Sequence, residues 1–195
     1  MIILVGKTCS GKSSVANILQ NQYGFKRVVT YTTRPPRENE KDGVDYNFIS
    51  AEKFDELKLK DFFFETTSYN VASGETWYYG TAKESLCDEC CIVMNPDGLK
   101  KMKNLLDPDE FHIRVFYLNV SEGSQYNRLR KRGDQPDEAT RRIEADKTDF
   151  ADISSYYDYA ISTDMFDMAT LDTISPNNVA DLINTMIQWE NFRIS

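Results

Sequence analysis

Short apolar runs alternate along the chain with segments in which apolar positions recur every three or four residues. The first apolar run covers residues 2–5. A helical pattern then begins near Lys12, with Val15 and Leu19 on one side. Short buried strands that alternate with amphipathic helices are typical of a parallel sheet covered by helices. The pattern therefore predicts an α/β fold.

The same alternation continues in the second half of the chain. Apolar runs predict further strands at residues 90–94, 113–118 and 159–161. Amphipathic segments predict helices near residues 97–105, 121–131, 137–149 and 177–190. We expect a single domain, whose core is formed by residues 1–29, 86–127 and 150–195.

The pattern changes between residues 30 and 85, where aromatic residues become frequent. This stretch predicts an inserted subdomain rich in β-strands, with a hairpin turn at residues 73–75. Its most aromatic run is residues 62–64. Consecutive aromatic residues more often pack in a core than stack on a base, so Phe62 and Phe64 are interpreted as packing residues.

A second unusual segment, residues 128–142, is rich in arginine. Its basic residues surround Gly133 and Pro136, which indicates a mobile loop between two helices. Most arginines lie on solvated helix faces. Arginine content alone therefore does not decide between an exposed surface and a site for anions.

The composition is that of an ordinary globular protein, with 41% hydrophobic and 28% charged residues. The net charge of −8 argues against a broad basic face for nucleic acid polymers. The first apolar run is too short for a signal peptide, and no later run approaches the roughly 20 apolar residues of a membrane span. The sequence thus predicts a cytoplasmic protein without nucleic acid or membrane partners.

The cysteines are Cys9, Cys87, Cys90 and Cys91. A structural zinc site needs four ligands, usually in two spaced pairs, whereas the chain has one Cys-x-x-Cys pair and one histidine, His112. We therefore expect no zinc, and interpret Cys90 and Cys91 as part of a buried strand. Cys9 lies close to Lys12, so our hypothesis is a lowered pKa and sensitivity to oxidation.

The segment from Gly6 to Ser13 fits the phosphate-binding pattern G-x-x-x-x-G-K-[ST]. It follows a predicted strand and opens a predicted helix, which is the context that this motif requires. Backbone N–H groups surround phosphate oxygens in such a loop, Lys12 reaches the β- and γ-phosphates, and the Ser13 hydroxyl binds Mg²⁺. The predicted ATP-binding residues of this segment are Gly6, Lys7, Thr8, Cys9, Ser10, Gly11, Lys12, Ser13 and Ser14.

The acceptor of the phosphoryl group is indicated by the next segment, residues 30–37, which reads T-Y-T-T-R-P-P-R. Arg34 and Arg37 are three residues apart in an extended stretch that contains proline. Their planar guanidinium groups suit a single phosphate, and a nearby tyrosine hydroxyl can complete the shell. This arrangement is typical of a site for a monophosphate.

The phosphate loop and the run T-T-R-x-P-R-x-x-E-x-x-G-x-D-Y-x-F resemble the guanylate kinase family over nearly the whole chain. The resemblance implies a P-loop fold with a parallel central sheet, a mixed-β subdomain for the monophosphate at residues 30–85, and an arginine-rich lid at about residues 128–149. It also implies phosphorylation of GMP by ATP and Mg²⁺ through direct in-line transfer, with the choice between GMP and dGMP left open.

The resemblance further implies that GMP is bound by Thr30, Arg34, Arg37, Tyr46, Glu65, Tyr79 and Thr81. A carboxylate suits guanine because the N1–H and the exocyclic amine of guanine are two donors on one edge, a pair that adenine lacks. Without the neighbouring motifs, Glu65 would be read as a solvated strand carboxylate. Glu40 and Asp45 are expected only to orient the arginines.

In the lid, Arg132 and Arg142 match arginines that contact the ATP phosphates in the family, and Arg128 matches a residue near the adenine. The resemblance therefore implies that the catalytic residues are Lys12, Arg34, Arg132 and Arg142. No general base is required, since a phosphate monoester is already largely ionised at neutral pH.

The sequence departs from the family at the end of the third core strand, where relatives usually carry Asp-x-Asp. Val93 and Asn95 occupy those positions and bring no negative charge to Mg²⁺ or to Lys12. The hairpin at residues 66–78 is also longer. A kinase of the same fold for another nucleotide or a sugar phosphate, a non-catalytic module that binds nucleotides or phosphopeptides, and a nucleotide-dependent regulator therefore stay open, as does the oligomeric state.

Overall fold

The computed structural model describes residues 1–38, 40–70, 74–107, 110–164, 166–167, 172–173 and 175–194. Its strands are β1 (Ile2–Gly6), β2 (Lys26–Arg27), β3 (Tyr31–Thr32), β4 (Asn47–Phe48), β5 (Phe63–Asn70), β6 (Thr76–Ala82), β7 (Cys90–Met94), β8 (Arg114–Asn119), β9 (Tyr159–Ser162), β10 (Phe166–Asp167) and β11 (Asp172–Thr173). Its α-helices are α1 (Lys12–Tyr23), α2 (Ala51–Leu59), α3 (Pro96–Leu105), α4 (Glu122–Lys131), α5 (Pro136–Asp149) and α6 (Pro176–Ile194).

The central sheet has the strand order β2-β7-β1-β8-β9, and its neighbouring strands are parallel. β1 lies in the middle, where Ile3 and Val5 pack against one face and Ile2 and Leu4 against the other. All four side chains are buried because helices cover both faces. This double burial explains the nearly continuous apolar run at the start of the chain.

Helices α1 and α6 pack on one face of the sheet, with Leu19 and Ile183 in the same core cluster as Leu4. Helix α3 covers the opposite face through Leu99 and Met102. Because the strands of the central sheet are parallel, their carboxyl ends lie at one edge of the sheet. Ligands bind at this edge in sheets of this kind. Among the described residues, no helix has the length and the apolar character that crossing a membrane requires.

A second sheet is formed by the chain between β2 and β7, in the order β4-β3-β6-β5. Strands β5 and β6 make an antiparallel hairpin in which Glu65 is paired with Thr81. The turn predicted at residues 73–75 includes Ser73, which lies outside the described residues. The hairpin register is what places two of the predicted GMP-binding side chains opposite each other.

Aromatic side chains hold this second sheet together. Phe54 of α2 stacks on Phe63 with ring centroids 4.6 Å apart, and Tyr31 packs edge-on against Phe62 at 5.3 Å. Phe64 points the other way and packs against the core of the central sheet. The interpretation of Phe62 and Phe64 as packing residues is confirmed.

The α/β fold with a parallel central sheet is confirmed, and the predicted strand at 90–94 coincides with β7. Helix α2 was not predicted. Ser50 caps it by accepting a hydrogen bond from the Lys53 N–H at 3.2 Å, and Phe54 is its one buried residue. A helix with so narrow an apolar face gives little periodic signal.

The helices predicted near residues 121–131 and 137–149 are confirmed by α4 and α5, so most of the arginine-rich segment is helical. Arg128 belongs to α4, and Arg142 belongs to α5. Residues 132–135 alone connect the two helices. Pro136 starts α5 at a position that tolerates proline, since the first helical N–H has no partner within the helix.

Identical substitutions at two leucines test the importance of the central strand. Leu4 is 0% exposed and Leu59 is 89% exposed. We expect Leu4→Ala to lower the free energy of unfolding by about 2–5 kcal/mol, because it leaves a cavity in the core. Leu59→Ala should change it by less than about 0.5 kcal/mol. Urea denaturation followed by circular dichroism measures both values, and equal losses would contradict the assignment of the core.

Candidate active site

The turn between β1 and α1 forms the predicted phosphate loop. Gly6 permits a close approach, because a Cβ atom there would lie 2.5 Å from the carbonyl oxygen of Leu118. Gly11 precedes α1 with φ 90°, a conformation that glycine adopts readily. Cys9 has φ 60° although it carries a Cβ atom. This left-handed conformation costs about 1–2 kcal/mol, so the loop holds strain at Cys9.

Lys12 turns its ammonium group back into the loop. Its Nζ donates hydrogen bonds to the carbonyl oxygens of Gly6, at 2.6 Å, and Lys7, at 2.9 Å. Burial lowers the pKa of Lys12 to about 8, and the charge of Asp146 opposes that shift. A cavity of about 1410 Å³ is lined by the rest of the predicted loop, Thr8, Cys9, Ser10, Gly11, Lys12, Ser13 and Ser14.

The hypothesis of a reactive thiol at Cys9 is wrong. Burial raises the pKa of Cys9 and outweighs the opposing charges of Arg132 and Lys12. A thiol with a raised pKa is largely protonated at neutral pH and is a poor nucleophile. The hypothesis considered the charge of the nearby lysine, but it did not consider the burial of the thiol, which has the larger effect.

The loop is fastened to helices α4 and α5 by buried polar side chains. The Thr8 N–H donates to Asp146 Oδ2 at 2.7 Å, and the Thr8 hydroxyl donates to Asp146 Oδ1 at 3.3 Å. Gln125 Nε2 donates to the Thr8 carbonyl oxygen at 3.1 Å and to Asp146 Oδ2 at 2.6 Å. Both polar groups of the Thr8 backbone are therefore held from outside the loop.

Arg128 adds a third attachment. Its NH1 donates to the carbonyl oxygen of Cys9 at 3.0 Å, and its NH2 donates to the carbonyl oxygen of Thr163 at 2.9 Å. Arg128 lines the large cavity, but its described hydrogen bonds hold the protein backbone. We refer to Gln125, Arg128 and Asp146 together as the loop brace.

The two predicted phosphate-binding arginines share one carboxylate. Arg34 NH2 and Arg37 NH1 donate to Glu40 Oε1 at 2.9 and 3.1 Å. The Arg37 N–H donates to Glu40 Oε2 at 2.9 Å. Burial alone would raise the pKa of Glu40, but the bonds from both arginines bring it below its usual value. Glu40 therefore orients the arginines as predicted.

Asp45 has a different role from the predicted one. It accepts a hydrogen bond from the Lys41 N–H at 2.9 Å, and it lies 3.9 Å from the guanidinium group of Arg27. Arg27 in turn donates to Asn17 of α1. Asp45 thus links the second sheet to the core and does not orient Arg34, so that part of the prediction is wrong.

Glu65 lines a smaller cavity of about 110 Å³. The Thr81 hydroxyl donates to Glu65 Oε1 at 2.7 Å. Oε2 is buried and has no hydrogen-bond partner among the described residues. Burial raises the pKa of Glu65, and the bond from Thr81 opposes this effect. A buried carboxylate oxygen without a donor is unfavourable unless a ligand supplies one.

The remaining predicted GMP-binding residues mostly surround the same space. Thr30, Tyr46, Tyr79 and Thr81 line the smaller cavity with Glu65. Lys12, Tyr46 and Val93 line both cavities, so the two spaces meet beside the lysine.

The two arginines differ in how they reach these cavities. Arg37 lines the larger one, whereas Arg34 is not among the lining residues of either. The guanidinium of Arg34 is turned to Glu40 and lies 5.3 Å from the centre of the Tyr46 ring. Arg34 therefore contacts the wall of the site and not its open space.

The end of β7 carries no charge, as the sequence indicated. Val93 lines both cavities. Asn95 caps α3, since its Oδ1 accepts a hydrogen bond from the Gly98 N–H at 2.6 Å, and its Nδ2 donates to the Thr67 hydroxyl at 3.1 Å. The described hydrogen bonds of Asn95 therefore serve the protein structure.

Two acids hold the lid arginines. Arg132 donates from Nε and NH2 to Asp134, at 2.7 and 2.9 Å. Arg142 donates from Nε to Glu138 at 2.6 Å, and its NH1 lies 3.7 Å from Asp134. Both arginines line the large cavity together with Arg37. Burial and the charges of neighbouring arginines lower the pKa of Arg37, so cations from both sides converge on one space.

Sequence reasoning missed the carboxylates and the amide that position these groups, namely Gln125, Asp134, Glu138 and Asp146. Helical spacing could have indicated some of them. Gln125 precedes Arg128 by three residues on α4, and Asp146 follows Arg142 by four on α5. Residues three or four apart share a helix face, so these two were candidates once the arginines had been selected.

No group of three or more His, Cys, Asp or Glu side chains that could hold a metal ion is found in the part of the chain that the structure describes. The hydroxyl group of Ser13 lies at the start of α1 and lines the large cavity. Ser13 is therefore the residue of the predicted set that could contact a metal ion carried by a nucleotide.

Comparison with known proteins agrees with this arrangement. A family model described as guanylate kinase matches residues 1–175. The guanylate kinase of Aliivibrio fischeri is 34% identical over 182 residues, which cover 88% of this chain and 84% of that protein. That of Neisseria gonorrhoeae is 28% identical over 189 residues, covering 93% of this chain and 88% of the relative.

The solved structure of guanylate kinase from Anaplasma phagocytophilum has the same fold, with a TM-score of 0.67 and 22% identity, over 97% of this chain and 85% of that one. The family match spans the phosphate loop, the paired arginines, Glu65 and the lid. The chain therefore belongs to the guanylate kinase family.

Proposed function

We propose that this member of the guanylate kinase family transfers the γ-phosphoryl group of ATP to GMP, which yields ADP and GDP. One observation carries the proposal: the buried Glu65 has a carboxylate oxygen without a donor, in a cavity that meets the phosphate loop at Lys12. A base with two adjacent donors and an attached phosphate would fit both ends of this site.

Guanine would be recognised through its donors. Its N1–H and exocyclic amine can both donate to Glu65, and a base without these donors would leave the carboxylate unpaired. A hydroxyl group has one proton, and that of Thr81 is used on Glu65. We therefore assign the hydroxyl group of Thr30, which lines the same cavity, as the donor to the guanine O6.

The acceptor phosphate would be held by Arg34, Arg37, Tyr46 and Tyr79. Glu40 fixes both arginines before the ligand arrives, which reduces the side-chain entropy lost on binding. Binding at Arg34 requires its guanidinium to exchange part of its contact with Glu40 for the phosphate. We take residues 30–85 as the monophosphate-binding subdomain and residues 128–149 as the lid.

The donor would lie in the phosphate loop, with Lys12, Arg132 and Arg142 around its phosphates. Asp134 binds Nε and NH2 of Arg132, which leaves its NH1 group for phosphate oxygens. Glu138 binds Nε of Arg142, whose NH1 group would exchange its longer contact with Asp134 for a phosphate oxygen. These cations stabilise the negative charge of the transferring group, and no general base is needed. Catalysis then rests on positioning and charge.

The site fits a magnesium ion that is held mainly by the nucleotide. Mg²⁺ commonly binds one or two protein groups together with phosphates and water, and the Ser13 hydroxyl provides one such group beside the large cavity. When bound, Mg²⁺ neutralises charge on the β- and γ-phosphates. The neutral end of β7 means that Val93 and Asn95 add no carboxylate to this set.

The neutral strand end does not favour the second candidate function, a kinase of this fold with a different phosphorylated acceptor. Asn95 and Thr67 line the small cavity beside Glu65, but the Asn95 amide is bonded to the Thr67 hydroxyl and to the Gly98 N–H. The acceptor panel described next separates the two candidates.

A coupled assay of ADP release tests the proposed reaction. With Mg-ATP as donor, we expect turnover with GMP or dGMP and none with AMP, CMP, UMP or ribose phosphates. Lys12→Ala and Arg34→Ala should each reduce kcat/KM by about 10²-fold or more, because each removes stabilisation of phosphate charge. Lys53→Ala, at an exposed residue of α2, is the control. Preference for another acceptor would contradict the assignment of guanine.

Glu65→Gln tests the recognition of the base directly. Glutamine offers one acceptor and an amide donor, so one of the two guanine donors would face another donor. We expect kcat/KM for GMP to fall about 10²-fold or more, with the KM for ATP within about twofold of wild type. Glu84→Gln, at an exposed position after β6, makes the same chemical change away from the cavity. Equal activity of both variants would rule out this role for Glu65.

The pH dependence of kcat/KM for GMP tests the ionisation of Glu65. Because burial raises the pKa of Glu65, activity should fall as the pH drops through a value above the ordinary 4.3 or so of glutamate. Thr81→Val removes a hydrogen bond that lowers this pKa, so the acid limb should move to higher pH. The phosphate of GMP also ionises, at about pH 6, but this affects the wild type and Thr81→Val equally. Superimposable acid limbs would contradict the prediction.

A further inference from the structure

The strained residue of the phosphate loop is enclosed by the loop brace. Cys9 has φ 60°, a conformation that a residue with a Cβ atom rarely adopts. The brace binds the N–H and the carbonyl of Thr8, immediately before it, and the carbonyl of Cys9 itself. The attachments therefore act on the backbone groups that determine the conformation at Cys9.

The loop brace is buried, and its hydrogen bonds allow one orientation of the Gln125 amide. Asp146 is 7% exposed and Gln125 is 1% exposed. An ionised carboxylate only accepts hydrogen bonds, so Asp146 fixes which end of the Gln125 amide faces it. The Nε2 group then reaches the Thr8 carbonyl, while Oε1 is left buried without a hydrogen-bond partner among the described residues. An unpaired amide oxygen is unfavourable, which indicates that the orientation is imposed by Asp146.

We propose that Asp146 is a positioning residue for ATP, which holds Cys9 in the left-handed conformation that the phosphate loop needs. This inference rests on the proposed function, because it concerns ATP at the loop. The Thr8 N–H is already bound to Asp146, so the phosphates are bound by N–H groups of later loop residues. We expect the direction of those groups to depend on the turn at Cys9, because Cys9 lies immediately before them in the loop.

The position of Asp146 also couples the loop to the lid. It lies on α5, one helical turn after Arg142, which lines the ATP cavity. Gln125 and Arg128 lie on α4, which packs against α5 through Leu129 and Ile143. The same helix pair, with its short connection, thus carries Arg132 and Arg142 and binds the phosphate loop.

Asp146→Ala removes the carboxylate from the brace. We expect kcat/KM for ATP to fall about tenfold, with the KM for GMP within about twofold of wild type, since the described hydrogen bonds of Asp146 go to Thr8 and Gln125 and not to residues of the smaller cavity. The control is Glu144→Ala, which removes a carboxylate from the exposed side of the same helix and should leave both parameters unchanged. The two variants and the wild type are compared in the ADP-release assay.

A second substitution separates positioning from general loss of structure. Glycine adopts a left-handed conformation without strain, so Cys9→Gly should make the loop less dependent on the brace. The effect of Asp146→Ala on kcat/KM for ATP is measured in the wild-type background and in the Cys9→Gly background. We expect the loss to shrink from about tenfold to about twofold, whereas a merely structural role for Asp146 would give equal losses in both.

The conservative variants complete the test. Asp146→Asn keeps an acceptor for the Thr8 N–H and should recover part of the activity lost in Asp146→Ala. If Asp146→Ala does not fold, as judged by circular dichroism, Gln125→Ala replaces it, because it removes the bond to the Thr8 carbonyl and keeps Asp146. We expect Gln125→Ala to lower kcat/KM for ATP by about threefold or more. This loss should become smaller in the Cys9→Gly background.

The possible failures are distinguishable. A wild-type protein without kinase activity would contradict the proposed function itself. An active wild type in which the brace variants behave like Glu144→Ala, or in which Cys9→Gly does not reduce their effect, would overturn the role of Asp146.

Discussion

Repulsion between cations is the constraint on which the active site depends. Lys12, Arg37, Arg132 and Arg142 all line one cavity, and their mutual repulsion opposes the folded state before any phosphate arrives. Neighbouring carboxylates offset it: Glu40 binds Arg34 and Arg37, Asp134 binds Arg132, and Glu138 binds Arg142. Each acid also limits the rotation of the guanidinium group that it holds. The same carboxylates therefore neutralise the arginines and fix the orientation of their guanidinium groups.

Local motifs made much of the site predictable. The phosphate loop and the Arg34–Arg37 pair are defined by spacing within a few residues, and their immediate context determines their conformation. Glu65 and Thr81 were predicted separately, but their contact depends on the register of the β5–β6 hairpin. The bond between Thr8 and Asp146 joins residues 138 positions apart. Helical spacing from Arg142 makes Asp146 a candidate site residue, but it does not indicate that its partner is Thr8.

Burial accounts for the main errors. Sequence reasoning weighed the charges near Cys9 but not the desolvation of its thiol, which raises the pKa. Helix α2 was missed because Phe54 is its one buried residue, so its apolar positions do not form a continuous face. The central strands were predictable for the opposite reason, since burial on both faces leaves a continuous apolar run in the sequence.

The nucleotide cavity draws on residues from nearly the whole length of the chain. Pro176 and Val179 of α6 line it together with the phosphate loop near residue 10, and α6 packs on α1. During synthesis on the ribosome, the loop emerges early, but its wall on this side is missing until α6 has been made. A nascent chain that ends before residue 176 lacks this wall, so the complete cavity exists only late in translation.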